Sequence, residues 1–314
     1  MTRFLVRRLA FLVLTLIITS LIIFSVTQLL PGDVARVILG REAGEEALQS
    51  LRLELGLTDP PLTQYLRWLG KFISGDWGTS FSSRQPVYDV VAQRLRNSFM
   101  LTGVILVLSV PTAVMLGVVA GFRRETWIDH TISIGSLAVV GLPEFVTGLV
   151  LIELLAFRFR IFPANSSIRV TAGFWESLPM LILPALTATL VLLAYIARLT
   201  RAGVIEELGL PYVRTAVLKG LSRAEITFKH VLRNALMPTV TVIAISFGWM
   251  LSGLIVIENV FNYPGLGRLL VFAIDRRDLP MLQAIGMVTV LGYTLANLAA
   301  DMLYAVLNPR VRLQ

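Results

Sequence analysis

Glu144 is the residue best placed to do chemistry in this chain, because it stands in VGLPEFVTG, inside a long apolar run. An acid at such a depth is costly and marks function. Pro143 precedes it, removing a backbone donor and breaking the helix, which leaves room for a polar pocket. Two roles fit Glu144. It faces a path through the membrane and favours a cationic group there, or it is a structural carboxylate bonded to the freed backbone or to a neighbouring helix. The cost of an unpaired buried charge favours the second. Glu153 lies near the outer end of the same run and reads as hydrated. Asp301, about two turns before Asn308, is close enough to the inner surface to pair with an arginine there.

Other chemistries find no residues. The chain has no cysteine and only two histidines, His130 and His230, far apart, so thiolate zinc sites, cysteine nucleophiles and multi-histidine metal sites are excluded. No Ser/His pair, paired-Asp motif or HExxH is visible, and GFRRE, GLPEF and GLGRL do not make a GxxxxGK[ST] phosphate loop. Ser222 and Glu225 read as a helix cap rather than as catalytic residues. These absences point away from an enzyme.

The surrounding elements are membrane helices. Of 314 residues, 55% are hydrophobic and 15% charged. Six apolar runs reach spanning length, at residues 9–30, 99–122, 131–157, 178–197, 236–257 and 281–307, without the alternation of membrane strands. These runs imply an all-α membrane protein with six transmembrane helices. The first run is too long for a signal peptide and lacks a small-residue cleavage site, so Arg7 and Arg8 read as anchoring charges rather than a twin-arginine signal.

The net charge of +8 is arranged for orientation rather than for nucleic acid. Arg3, Arg7 and Arg8 precede the first run, Arg123 and Arg124 follow the second, a dense basic group follows the fourth, and Arg310 and Arg312 follow the sixth. The positive-inside rule then puts both termini and residues 201–238 in the cytoplasm. The chain divides into a first helix (1–30), an external loop subdomain (31–97), a permeation core (98–307) and a short cytoplasmic tail (308–314). Within the external segment, residues 45–55 and 62–73 have helical periodicity and rest on the membrane or on a neighbouring subunit. Trp68, Trp77, Trp175 and Tyr263 read as interfacial anchors. Pro264, Gly265 and Gly267 enforce a tight turn, followed by a short helix at 268–274.

Residues 201–238 form a polar, basic insert between two apolar runs, read as two short helices broken at Gly220. Leu210 gives an extended lead-in and Pro211 a pre-set first turn. Ser222 with Glu225 makes a capping box, and Leu221 with Ile226 a hydrophobic staple. Val213, Ala216, Val217, Ala224, Phe228 and Val231 recur at roughly helical spacing. Gly220 either closes the first helix or allows close approach of a partner. Lys219, Arg223 and Lys229 make the pair resemble a DNA-reading helix-turn-helix, but tethering between two spans speaks against that.

RTAVLKG followed by LSRAEITFKHVLRNALMP resembles the cytoplasmic EAA loop of the inner-membrane permeases of binding-protein-dependent ABC importers. Arg214, Thr215 and Ala216 stand where the general pattern has Glu-Ala-Ala, and Gly220 keeps the glycine. The Leu-Pro pair falls at Leu232 and Arg233, with the proline displaced to Pro238. These departures are similar to the dipeptide, oligopeptide and nickel branch, as are LLPGDVA, LGLTDPPLTQYLRWLGKFISGDWGTSF, VFNYPGLGRLL, RRDLPMLQ and ADMLYAVLNPRVR.

The resemblance implies a type I importer permease fold in the bacterial cytoplasmic (inner) membrane. It implies pairing with a homologous second permease, an external substrate-binding protein, and two cytoplasmic ATPase subunits that bind ATP and magnesium; this chain binds no cofactor. Pro211, Tyr212, Arg214, Thr215, Ala216, Gly220, Leu221, Ser222 and Glu225 would meet the ATPase. Glu144 would face the path and meet a peptide amino terminus. Phe261, Tyr263, Pro264, Gly265 and Gly267 would form an outer gate or a seat for the binding protein. Di- or oligopeptides are the expected cargo, with nickel chelates, glutathione and opines on the same scaffold. A transporter of another class, coupled to ions through Glu144, Glu153 and Asp301, would need no docking insert.

Overall fold

The computed structural model describes residues 2–29, 34–40, 42–54, 56–169 and 172–307. Pro31, Leu55, Asn308, Arg310 and Arg312, and the tail 308–314, lie outside the described residues. The helices of the first half are α1 Thr2–Leu29, α2 Val34–Leu39, α3 Glu45–Glu54, α4 Pro61–Ile73, α5 Val87–Phe122, α6 Trp127–Val140 and α7 Glu144–Leu151, which runs into a π-helical turn at Ile152–Arg158. The second half holds α8 Phe174–Leu208, α9 Pro211–Leu218, α10 Arg223–Glu225, a π-helical turn at Ile226–Val231, α11 Leu232–Ala235 and α12 Met237–Gly253. It closes with α13 Ile255–Val260, α14 Leu266–Arg276 and α15 Leu279–Leu307. Apart from one isolated bridge between Thr79 and Pro86, no extended pairing occurs among the described residues.

Four stretches are each long and apolar enough to cross a membrane: Leu5–Leu29, Val87–Phe122, Phe174–Leu208 and Leu279–Met302. The third expected span is not one helix. Trp127–Val140 and Glu144–Arg158 meet at 104°, because α6 closes on Gly141 and Pro143 holds an extended ψ of 139° where α7 begins. The fifth is bent less, by 47° between Arg223–Ala235 and Met237–Met250, and it breaks again at Leu254 before α13. Six crossings therefore require each bent pair to count as one.

The chain forms two compact units, Met1–Asn97 with Gly265–Thr294, and Ser98–Pro264 with Leu295–Gln314. In the first, α4 lies against α1. Ser20 and Tyr65 share a hydrogen bond of 2.8 Å, Gln28 donates to Gln64 at 2.8 Å, and Phe24 packs edge-on to Tyr65. Tyr65, Trp68, Phe72, Trp77 and Tyr88 continue as a run of ring contacts, with Phe72 and Trp77 stacked. The two predicted helices of the outer segment appear as α3 and α4, while α2 is an addition. The predicted short helix after Gly267 is the longer α14.

Asp278 fastens this unit. It is fully buried and caps α15 by accepting from the Met281 backbone at 3.4 Å. It also accepts from the Ser80 hydroxyl and from the backbone of Phe81 and Ser82, both at 3.2 Å. A carboxylate bonded to several donors in this way recovers the solvation lost on burial.

In the second unit α8 is the central element, with Leu181, Leu183, Ala185, Leu192 and Ile196 in the main apolar cluster beside Leu101, Ile105, Met250 and Ile257. Close helix packing needs small residues at the crossing. A Cβ on Gly203 would come within 2.5 Å of the Ala235 carbonyl oxygen, so α8 and α11 meet there only because residue 203 has no side chain.

Candidate functional site

The insert begins and ends as its local chemistry requires. Leu210 is extended (ψ 146°), Pro211 starts α9, and the helix closes after Leu218. Gly220 then takes φ +76°, in the left-handed region. Its amide donates to Val217 at 3.0 Å and the Leu221 amide to Ala216 at 3.3 Å, the paired bonds of a Schellman closure. Nothing lies within 4 Å of a Cβ placed on Gly220, so it is the backbone conformation, and not crowding within this chain, that favours glycine there. Two residues on, the Ser222 hydroxyl accepts from the Glu225 amide at 3.2 Å. The other half of the expected box does not form: the Glu225 carboxylate turns to Lys229 at 2.6 Å, one helical turn away.

Val213 and Ala216 of α9, Ile226 and Val231 of the π-helical turn, Ala235 of α11 and Val204 of α8 form one buried cluster, with Leu221 packed against it. The staple partners Leu221 and Ile226 thus share a core. Ile226 and Val231 are five residues apart, a spacing that an α-helix would splay by about 140°. The π turn brings both inward. It also overturns part of the expected apolar face: Phe228 is 71% exposed and Ala224 is exposed. On α9, Val217 is 59% and Leu218 80% exposed, beside exposed Arg214, Thr215 and Lys219. Leu218 had no signal in the sequence beyond its apolar character.

Tyr212 secures the base of this face. Its hydroxyl donates to the Glu207 carboxylate at the end of α8 and lies 3.4 Å from the His230 carbonyl oxygen. Burial first, and then the bond to Glu207, push the phenol above its ordinary pKa. It remains a donor throughout the physiological range.

Asp129 is a functional-scale feature that the sequence did not announce. It is 1% exposed and accepts both guanidinium bonds of Arg201, 2.5 Å from Nε and 2.7 Å from Nη2. The Glu125 amide adds a bond of 3.0 Å and Ser133 one of 3.3 Å. Arg201, expected only as one of several orienting cations, thereby joins α8 to the first turn of α6, and through Asp129 to the Glu125 amide before it.

The intramembrane acids separate. Glu144 is the first residue of α7, at the break in the third expected span, half-buried at a helix N-terminus where a negative charge is favoured. No residue among those described bonds its carboxylate. Glu153 is exposed on the π turn and Asp301 is partly buried on α15. Glu258 of α13, passed over in the sequence, is 1% exposed and accepts from the Ser98 hydroxyl at 2.8 Å.

Phe261 and Tyr263 are fully buried in the main apolar cluster. Tyr263 is therefore a core residue and not an interfacial anchor, and both rings are covered by other residues of the chain. Pro264 and Gly267 are partly buried, and Gly265 is buried. Trp175, in contrast, is 80% exposed, as an anchor would be.

Residues 113–313 match the family described as binding-protein-dependent transport system inner membrane component. Residues 1–102 match the N-terminal segment of the same kind of membrane component. The chain is 37% identical over 312 residues, 99% of each chain, to the glutathione transport system permease protein GsiC of Escherichia coli (strain K12). It is equally similar over the same length to the protein of that name in Shigella dysenteriae serotype 1 (strain Sd197). The relatives are transport permeases and not enzymes, and the apolar helices agree with a multi-pass inner-membrane protein. With the family matched along nearly the whole chain and an all-α fold to carry it, this protein belongs to the inner-membrane permeases of binding-protein-dependent ABC importers.

Proposed function

We propose that the chain forms half of the translocation path of an ATP-driven importer, paired with a homologous permease, and that α9 with the turn at Gly220 is the part grasped by a separate ATPase. The observation that carries this reading is the uncovered face of the insert. Val217, Leu218 and Phe228 are exposed apolar residues in an otherwise basic segment, on a scaffold held rigid from beneath by its own cluster. Exposed apolar surface with a polar rim suits a protein partner. ATP and magnesium are bound by the ATPases, and substrate arrives from an external binding protein. The basic residues near the span ends support a cytoplasmic location for both termini and the insert.

A short peptide or peptide-like solute is the proposed cargo. The name of the relatives supports glutathione, and motifs such as LLPGDVA and VFNYPGLGRLL support di- and oligopeptides; nickel chelates and opines fit the same scaffold. Uptake into proteoliposomes containing the chain, its second permease, two ATPases and the binding protein is expected only with ATP. Uptake by the chain alone, driven by an ion gradient, would overturn the reading. Thermal stabilisation of the binding protein by glutathione, dipeptides or nickel chelates then selects the cargo.

A further inference from the structure

The helix α4 has three faces. Tyr65, Trp68 and Phe72 lie toward α1 and the ring contacts around it, and Thr63, Arg67 and Lys71 form an exposed polar flank. Leu62, Leu66 and Ile73 form a third face that is apolar and exposed. At 100° per residue these three stand about 60°, 100° and 80° from Tyr65, while Arg67 and Lys71 stand about 160° and 120° from it on the other side.

The contacts with α1 give this face a depth. The hydroxyl of Tyr65 reaches Ser20, and Gln64 meets Gln28. Counted from Leu9, where the apolar run begins after Arg7 and Arg8, Ser20 lies about 17 Å and Gln28 about 29 Å along the helix. A hydrocarbon core is about 30 Å thick. The axis of α4 therefore runs near the boundary between acyl chains and headgroups, with Tyr65 pointing inward. Leu62, Leu66 and Ile73 flank Tyr65 on one side, none more than about 100° from it, and Arg67 and Lys71 stand further round toward the opposite side. Leu21, Ile22 and Val26 of α1 are also apolar and exposed at this level, so α1 offers an apolar surface at the depth of this face.

We propose that α4 is an interfacial helix lying in the leaflet at the C-terminal end of α1, with Leu62, Leu66 and Ile73 among the acyl chains and Thr63, Arg67 and Lys71 in the headgroup layer. A stripe of this kind buried several ångströms below the headgroups is how a monotopic helix is held. The inference needs only that α1 crosses the membrane, and stands apart from the cargo and from the ATPase.

The chain has no cysteine, so single labels can be placed without background. L66C, I73C, T63C and K71C would carry nitroxides in the full chain, in vesicles of phosphatidylethanolamine and phosphatidylglycerol. Collision with oxygen, which partitions into the bilayer, is compared with collision with a water-soluble nickel chelate. The oxygen-to-nickel ratio is expected to be several-fold higher at 66 and 73 than at 63 and 71. Equal ratios on both flanks would overturn the proposal. So would labels at 66 and 73 shielded from both reagents, which would mean that a neighbouring subunit covers the face. L62C gives a further position on the same stripe should one of the others fail to fold.

Discussion

Arg201 of α8 holds Asp129 of α6 in a fork of two hydrogen bonds, with the carboxylate 1% exposed and the guanidinium 32% exposed. Such a bidentate pair is directional as well as charged. Asp129→Ala would leave a guanidinium without its partner, and the expected loss is about 3 kcal/mol of stability. Arg201→Lys keeps the charge but loses the fork, and should fall between that variant and the parent. Thermal unfolding of the purified chain measures both. Unchanged midpoints would mean that the α5–α6 turn is held by other contacts.

At Gly220 the positive φ separates two kinds of effect. Gly220→Asn should be tolerated, since asparagine visits the left-handed region, whereas Gly220→Val should cost about 1–2 kcal/mol through backbone strain. Gly220→Trp adds bulk in open space facing the proposed ATPase. It should insert into the membrane and fold, yet the importer assembled with it should hydrolyse ATP without uptake. Coupled uptake retained by that variant would remove Gly220 from the docking surface.

Leu218→Asp and Phe228→Asp test the exposed face directly. Both side chains are mostly solvent-exposed, so stability should move by no more than about 0.5 kcal/mol. Recovery of the ATPase with the purified permease should fall sharply in each. Val213→Asp, in contrast, buries a charge in the cluster under α9 and should prevent folding of the insert. If ATPase recovery is unaffected by the two exposed changes, the partner binds elsewhere.

For Glu144→Gln the expected structural cost is small, because no described residue bonds the carboxylate. Uptake of cationic cargo should drop several-fold relative to neutral cargo. Equal affinity and rate for cationic substrates in the variant and the parent would end the proposal that Glu144 faces the path.

The features legible in the sequence are those decided by neighbours along the chain. Leu210 and Pro211 start α9, and Gly220 and Ser222 end it and begin the next helix, because φ preferences and caps act over a few residues. Pro143 announced a break in the same way, but the 104° turn depends on packing that no local signal carries. Asp129 and Arg201 are 72 residues apart, so their pairing exists only once α6 and α8 are packed. Phe228 points outward, against its expected place, because 3.6-residue periodicity assumes an α-helix and the π turn at Ile226–Val231 rotates the side chains within it. Tyr263 has the composition of an interfacial aromatic, and only the cluster around it shows that it is core.

The cluster beneath α9 has a mechanical meaning. Because Val213, Ala216, Ile226, Val231 and Ala235 are packed against Val204, the insert holds its shape without a partner, and docking need freeze little additional chain entropy. At Gly203 the main chains of α8 and α11 are nearly in van der Waals contact, with no flexible side chain between them to absorb movement. A displacement applied at Leu218 would pass through a dense, poorly compressible wedge into the 35-residue α8. The insert is thus stiff enough to act as a crank, and a stroke applied to it would reach the membrane with little slack.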